Sequence, residues 1–525
     1  MKMAKKRRGQ RESERTVEGI DAIGEDVLQN ILSRLPALSF ASAACVSRSW
    51  NKICKRVLSR PKLTSALSLK SSEQEAVHEV LEKVLSEPIR PHFAIAYIGP
   101  SFNSQLTHYL INKKLGSRIP VITSMGHGII GRDASSNDFK EIQWQTTVDD
   151  ETGAGVNSSV NRHCGIVLTV GYVPGLKVAV VPLLRSVEGP PVFLVDDFVT
   201  NIREYTTSVS GCTSPAGIIM FGDQETDMKP ILDKMDYAMS KETVIVGDAG
   251  CQILYGGRCV DTTHGLYYTW DAGALLFVRD RDKPHGVGET CFHMALSSGV
   301  SSIGPIYKAD SVRERRDEFS TWLTAKREGS NLKLDGGTLL DTIYDEMGDR
   351  SPNAALYIGV TKRRKCSIGL EKVRWITSQE FHEVQEGDDE YLYVNGTGIR
   401  TGDSFHFYFS DSGSALSSCN AVSNNLRRLK QDCDHEKGVT AYGKKEVFGG
   451  LIFSCCGRGE SFFGHPNVDS TPFLENFPEV TLSGTFSAGE IGRGDSHNES
   501  SVRCCLHVFS TVYLIMSYTP ALPDQ

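Results

Sequence analysis

Residues 21 to 60 carry the strongest constraint in the chain. Ile23, Val27, Leu28, Ile31, Leu32 and Leu35 recur one, three and four apart, so they share one face of a helix that Pro36 must end. Glu25 and Asp26 suit the first turn of that helix, where carboxylates meet the positive end of its dipole. Ser39 is placed to cap a second short run, Phe40 to Val46, and a third is expected around Trp50, Ile53 and Val57. Three short helices in so few residues bury little apolar surface by themselves, so a partner surface is expected to complete them.

Further along, the texture changes. Residues 71 to 87 read as one amphipathic helix through Ala76, Val77, Val80, Leu81, Val84 and Leu85, a connector closed by Glu87-Pro88. Beyond it, runs rich in Val and Ile predict strands at 93–98, 121–123, 165–173, 176–183, 216–221, 243–246, 274–278, 354–360, 405–409 and 447–454. The segments 228–239 and 337–347 read as helices, and 132–162, 279–289 and 431–445 as loops. The expected class is α+β: a small three-helix module followed by a large mixed α/β body in two packed halves. The boundaries expected are a basic tail at 1–19, the helical module at 20–66 and the connector at 67–90. The two halves follow at 91–285 and 286–495, with a C-terminal strand and tail at 496–525. No period of 20 to 29 residues with L-x-x-L-x-L is found, which speaks against leucine-rich repeats.

At 525 residues, two to four domains are expected. The formal charge of -7 offers no global attraction to nucleic acid or acidic lipid. The local exception, Lys5-Lys6-Arg7-Arg8 in the basic tail, suits a nuclear-import signal or a solvated terminus equally. The 14 cysteines follow no framework, and free thiols in a cytoplasmic or nuclear compartment are expected. The apolar stretch 506–518 is too short to span a bilayer and reads as a buried strand.

The order Ile23-Gly-Glu25-Asp-Val27-Leu-Gln-Asn-Ile31-Leu32-Ser-Arg-Leu35-Pro36, then Phe40, then Val46-Ser-Arg-Ser-Trp50, resembles the F-box family. The departure is Ile23-Gly24 where that family opens with Leu-Pro, which loses the pre-set φ of proline at the helix entrance. The resemblance implies docking on a Skp1-like adaptor and, through it, a cullin scaffold. The contacts would come from Ile23, Glu25, Val27, Ile31, Leu32, Leu35, Pro36, Phe40, Val46 and Trp50. From about residue 90 to 495 the chain resembles the FIST domain, a sensory or ligand-binding module. The echoes are Gly450-Leu-Ile-Phe-Ser-Cys455-Cys-Gly-Arg458-Gly459 and Gly484-Thr-Phe-Ser-Ala-Gly489-Glu490-Ile491-Gly492. Together the two resemblances imply a non-catalytic substrate receptor of a ubiquitin ligase with no cofactor. An amino-acid-like sensor is the alternative, and a thiol enzyme built on Cys455 a weaker third.

In the second half of the body, Cys455, Arg458, Gly459 and Glu490 form a candidate ligand edge. The glycines permit close approach, and Arg458 offers a planar donor fork beside Glu490. A glycine-rich turn with a structural Arg–Glu pair would leave the same letters. The G-x-G-x-x-G match at Gly126, Gly128 and Gly131 is followed by no apolar helical stripe, so a hairpin turn is expected instead of a dinucleotide site. No H-E-x-x-H, phosphate loop or spaced Cys/His set is present.

Overall fold

A computed structural model of the chain describes residues 24–144, 163–184, 194–224, 226–256, 268–348, 354–435, 444–493 and 505–521. The chain divides into two compact units, residues 1–59 with 85–89, and residues 60–84 with 90–525.

In the smaller unit, α1 (Glu25–Leu32), α2 (Ala37–Ala43) and α3 (Arg48–Val57) follow the expected order. Leu28, Leu32, Phe40, Ala43, Ile53 and Cys54 make its core, with Leu35, Trp50 and Val57 packed against them. The hydroxyl of Ser47 accepts from the Trp50 N–H and caps α3, while Asn51 Nδ2 donates to the Ala44 carbonyl at 3.0 Å to hold α2 and α3 together. Gly24 enters α1 at φ -59°, the angle a proline ring imposes. The missing proline therefore removes pre-organisation but not geometry. Gly24→Pro is expected to stabilise this unit by about 0.4–1 kcal/mol, read as a raised unfolding midpoint of the helical unit.

The larger unit begins at residue 60, not after 66: Lys62–Ser68 is a strand of its first sheet, pairing antiparallel with Ile166–Tyr172. The expected connector is a packed helix of this unit, Glu73–Val84, with Ala76, Val77, Val80, Leu81 and Val84 buried. The division expected at residue 285 gives way to three repeats of one pattern: strand, helix, strand, helix, strand, hairpin, strand. The first repeat runs from Lys62–Ser68 to Ile166–Tyr172, the second from Leu176–Pro182 to Ala272–Arg279, and the third from Glu289–Ser298 to Ser510–Thr519.

Each repeat builds four strands of a six-stranded sheet in the order first, last, second, third, and its second and third strands lie parallel across a helical crossover. The other two strands of every sheet are a hairpin from another repeat. Gly128–Arg132 with Phe139–Gln143 leaves the first repeat for the third sheet. Glu490–Arg493 with Leu506–His507 leaves the third for the second, and Gln252–Gly256 with Tyr268–Trp270 leaves the second for the first. The exchange is cyclic, so none of the three sheets is complete without another repeat. Their inner faces meet in one core: Phe93, Ile95 and Tyr97 from the first sheet, Ile219, Phe221 and Phe277 from the second, Leu451, Phe453 and Leu514 from the third. Phe93 and Phe277 meet edge to face at 5.2 Å.

The third repeat carries an insertion between Glu289–Ser298 and the helix Ser412–His435. Its strand Val300–Arg315 pairs with both Ser404–Ser410 and Ser320–Arg327, and these connect through Leu356–Cys366, Arg374–Gly387 and Leu392–Asn395. Six antiparallel strands thus close into a ring, which leaves no open edge among them. Leu339, Ile343 and Met347 of the helix Gly336–Met347 pack with Tyr307, Phe405 and Phe407 in its core. The glycines Gly128 and Gly131 lie in a strand of the first repeat's hairpin, not in its turn; a side chain at Gly128 would strike the Ile142 carbonyl.

Candidate functional site

Two surfaces need a function, one in each unit. In the smaller, the helices are too short to hide every apolar residue the sequence supplies, and several face water. Val27 and Ile31, one turn apart on α1, are 56% and 46% exposed; Leu38 and Val46 are 65% and 63% exposed, and Pro36 is exposed. That much exposed apolar surface on a unit this small marks side chains to be covered by a partner. Of the residues expected to form it, Leu32 and Phe40 belong instead to the unit's own core, because α1 turns Leu28 and Leu32 inward against α3. Leu35 and Trp50 are half-buried at the core's margin, Glu25 is exposed and receives a hydrogen bond from Arg56, and Ile23 lies outside the described residues. Leu38 was missed because it falls between the apolar runs.

In the larger unit, the expected ligand edge is an interior joint. Arg458 and Asp469 are fully buried, with Arg458 Nη2 2.6 Å from Asp469 Oδ1. The same guanidinium donates to the Phe509 carbonyl at 3.0 Å and the Ser297 hydroxyl at 3.1 Å. Glu490 is buried too, and its Oε2 accepts from the backbone N–H and the hydroxyl of Ser510 at 3.2 and 2.9 Å. Arg458 and Glu490 therefore meet successive residues of one strand entrance without pairing with each other. Gly459 has φ +95°, and a side chain there would lie 2.7 Å from Gln143 Oε1. Gln143, from the exchanged hairpin of the first repeat, donates to the carbonyls of Cys456 and Arg458. The Cys455 to Gly459 turn thus fastens one repeat to another. Its buried Cys455 thiol is pushed well above the usual range by a hydrogen bond with Cys456 and by burial, so it is no thiolate at neutral pH, and His465 is exposed.

The exchanged hairpins of the second and third repeats start from loops that touch: a side chain at Gly250 would strike Ala488. Between them, Asp248 Oδ1 accepts from the Ser487 hydroxyl at 2.6 Å and the Gly250 N–H at 2.8 Å, while Oδ2 has no partner. Burial pushes this carboxyl up to about 6. Above an unfolded value of roughly 3.9 the native state then holds the proton longer than the unfolded chain. Stability is expected to fall as pH rises from about 4 to about 6, by on the order of 2–3 kcal/mol. Asp248→Asn should flatten that part of the stability profile in urea titrations.

Beside these loops opens a cavity of about 290 Å³, near the lower end of small-molecule sites. Its walls come from the helix Met228–Ala238, the loop at Ala488 and Gly489, and the barrel strand Arg374–Gly387. Along that strand Glu380 and His382 stand two apart, hence on one face, and both are buried. His382 Nδ1 lies 3.0 Å from the Asn395 carbonyl, which can only accept, so Nδ1 carries the hydrogen. Burial first, and Lys229 second, hold this imidazole well below its usual pKa, so Nε2 is a bare acceptor. Nε2 has no hydrogen-bond partner and stands 3.9 Å from Glu380 Oε2, which has none either. Arg364 pairs with Glu380 and, at 3.1 Å, with Asp233; Arg493 pairs with Asp236 at 2.6 Å. Lys229 Nζ has one long contact, 3.5 Å, to the Phe381 carbonyl. Among the described residues no cluster of three metal-ligating side chains is found, and no helix is long and apolar enough to cross a membrane.

Residues 20–62 match the F-box domain family. Over 514 residues, 95% of this chain and 94% of the relative, the sequence is 42% identical to an Arabidopsis thaliana protein named F-box/LRR-repeat protein At5g63520. Leucine-rich repeats lay one strand per repeat into a continuous parallel sheet. The described strands here run parallel in only three isolated pairs.

Proposed function

Because the chain belongs to the F-box proteins, we propose that it is the substrate-recognition subunit of an SCF-type ubiquitin ligase. On this reading the smaller unit docks a Skp1-like adaptor and, through it, a cullin scaffold. The larger unit, which resembles FIST domains, captures a protein substrate for ubiquitin-dependent degradation. The observation that carries the reading is the exposure of the apolar side chains of Val27, Ile31, Leu38 and Val46 on a unit that matches the F-box family. The chain then acts as an adaptor, the covalent chemistry belongs to its partner enzymes, and it works in the cytoplasm, the nucleus or both.

Affinity purification of the tagged full-length chain under proteasome inhibition tests this. Captured proteins should carry ubiquitin with the wild-type chain, and the same proteins should lose it with Ile31→Asp, which charges the face without touching the core. Equal ubiquitination with both chains would overturn the proposal.

A second reading, a small-ligand sensor, is favoured by the polar cavity, whose buried acceptors lack donors.

A further inference from the structure

We infer that the cavity between the Met228–Ala238 helix and the Arg374–Gly387 strand takes an uncharged polyhydroxylated molecule of monosaccharide size, held through a hydroxyl by Glu380, His382 and Lys229. The inference rests on the cavity being a ligand site and names the ligand's class.

Its first support is the pair of orphaned acceptors. His382 Nε2 and Glu380 Oε2 are buried, 3.9 Å apart and without donors, and leaving such atoms unpaired is costly. They call for an X–H group that bridges or chooses between them. A second support is the charge around them. Arg364 pairs with Asp233 and Glu380, Arg493 pairs with Asp236, and Lys229 supplies the remaining positive charge, so a negative charge on the ligand would be left buried without a free counter-charge. At the margin, Asp227 and Glu383 further oppose an anion.

Lys229 decides between the remaining donors. Its ammonium has three hydrogens and one long protein contact, to the carbonyl of Phe381 between Glu380 and His382; burial lowers its pKa while Glu380 favours its charged form. An ammonium seated at Glu380 would face this like charge. A hydroxyl meets both demands, since it donates to the Glu380–His382 pair and accepts from Lys229. The lining also includes Phe319 and Tyr357, residues that add apolar surface suited to the C–H face of a sugar or cyclitol.

Calorimetric titration of the full-length chain with D-glucose, D-ribose and myo-inositol, beside L-serine, D-glucosamine and D-glucuronate, tests the assignment. At least one of the three uncharged compounds should bind saturably, and Lys229→Met should raise its Kd tenfold or more. Glu380→Gln should do the same, but it also weakens the Arg364 pairing, so Lys229→Met with an unchanged unfolding midpoint is the deciding variant. Saturable binding of L-serine, D-glucosamine or D-glucuronate with none of the uncharged compounds would overturn the ligand class and leave the cavity as a sensor site. Binding of none of the six would overturn both. Uncharged-compound binding that Lys229→Met leaves unchanged would overturn the placement of the site.

Discussion

Arg458→Met is expected to destabilise the larger unit by about 3–5 kcal/mol, because it strands the Asp469 carboxylate in the core with its principal cation gone. The loss should be far larger than that of the hydrogen bonds alone, since Asp469 also accepts from Ser454 and cannot reach water. Arg458→Lys retains the charge but not the fork that serves Asp469, Ser297 and Phe509 together, so it should recover only part of the loss. Urea unfolding of the full-length chain, followed by hydrogen exchange in the strands around residues 446–455 and 510–519, measures both. A midpoint unchanged by Arg458→Met would show that this joint is not structural. Adaptor binding by the smaller unit should survive either change, because its core contains no residue of the joint.

Leu32→Ala is expected to remove about 2–5 kcal/mol from the smaller unit. In a core of so few side chains, that is enough to unfold it. Helical signal from residues 25–57 and adaptor binding should disappear together, while the sheets of the larger unit keep their hydrogen-exchange protection. The contrast with Ile31→Asp separates two causes of lost binding: Leu32 holds the helices together, whereas Ile31 faces outward and its change should leave the helices formed. A Leu32→Ala chain with full helical signal would contradict the packing described for α1.

Much of this molecule could be read from local pattern. The helix faces at Leu28 and Leu32 and at Ala76 to Val84 follow the 3.6-residue period, and strands buried on both faces, such as Phe93–Ile98 and Gly217–Gly222, announce themselves as continuous apolar runs. Two barrel strands, Leu356–Cys366 and Ser404–Ser410, carry the apolar runs expected at 354–360 and 405–409, but the others did not announce themselves. Arg374–Gly387 is largely polar, because only Glu380 and His382 along it are buried, and neither is apolar. The threefold arrangement escaped for a different reason. Its signature is the exchange of hairpins between residues hundreds apart, and the insertion of the barrel into the third repeat hides the common period.

The candidate sites show the same limit. Arg458 and Glu490 both close glycine-bearing strand ends, but nothing local reveals that Asp469 reaches the guanidinium first. In the cavity, Lys229 comes from the second repeat and Glu380 and His382 from the insertion, a convergence only tertiary structure creates. The one local clue was the i, i+2 spacing of Glu380 and His382, two ionisable groups on the same face of a strand. In the smaller unit the apolar residues were found, yet their division into inner and outer faces depended on where α3 packs: Leu32 and Phe40 went inside, Val27 and Ile31 stayed out.

Direct binding between the purified full-length chain and a purified Skp1-like adaptor is the decisive measurement. One-to-one binding is expected, weakened at least tenfold by Ile31→Asp with the helical signal intact, and unchanged by Arg458→Lys. Absence of binding by the wild-type chain, or equal binding by Ile31→Asp, would contradict the assignment of the N-terminal face to the adaptor.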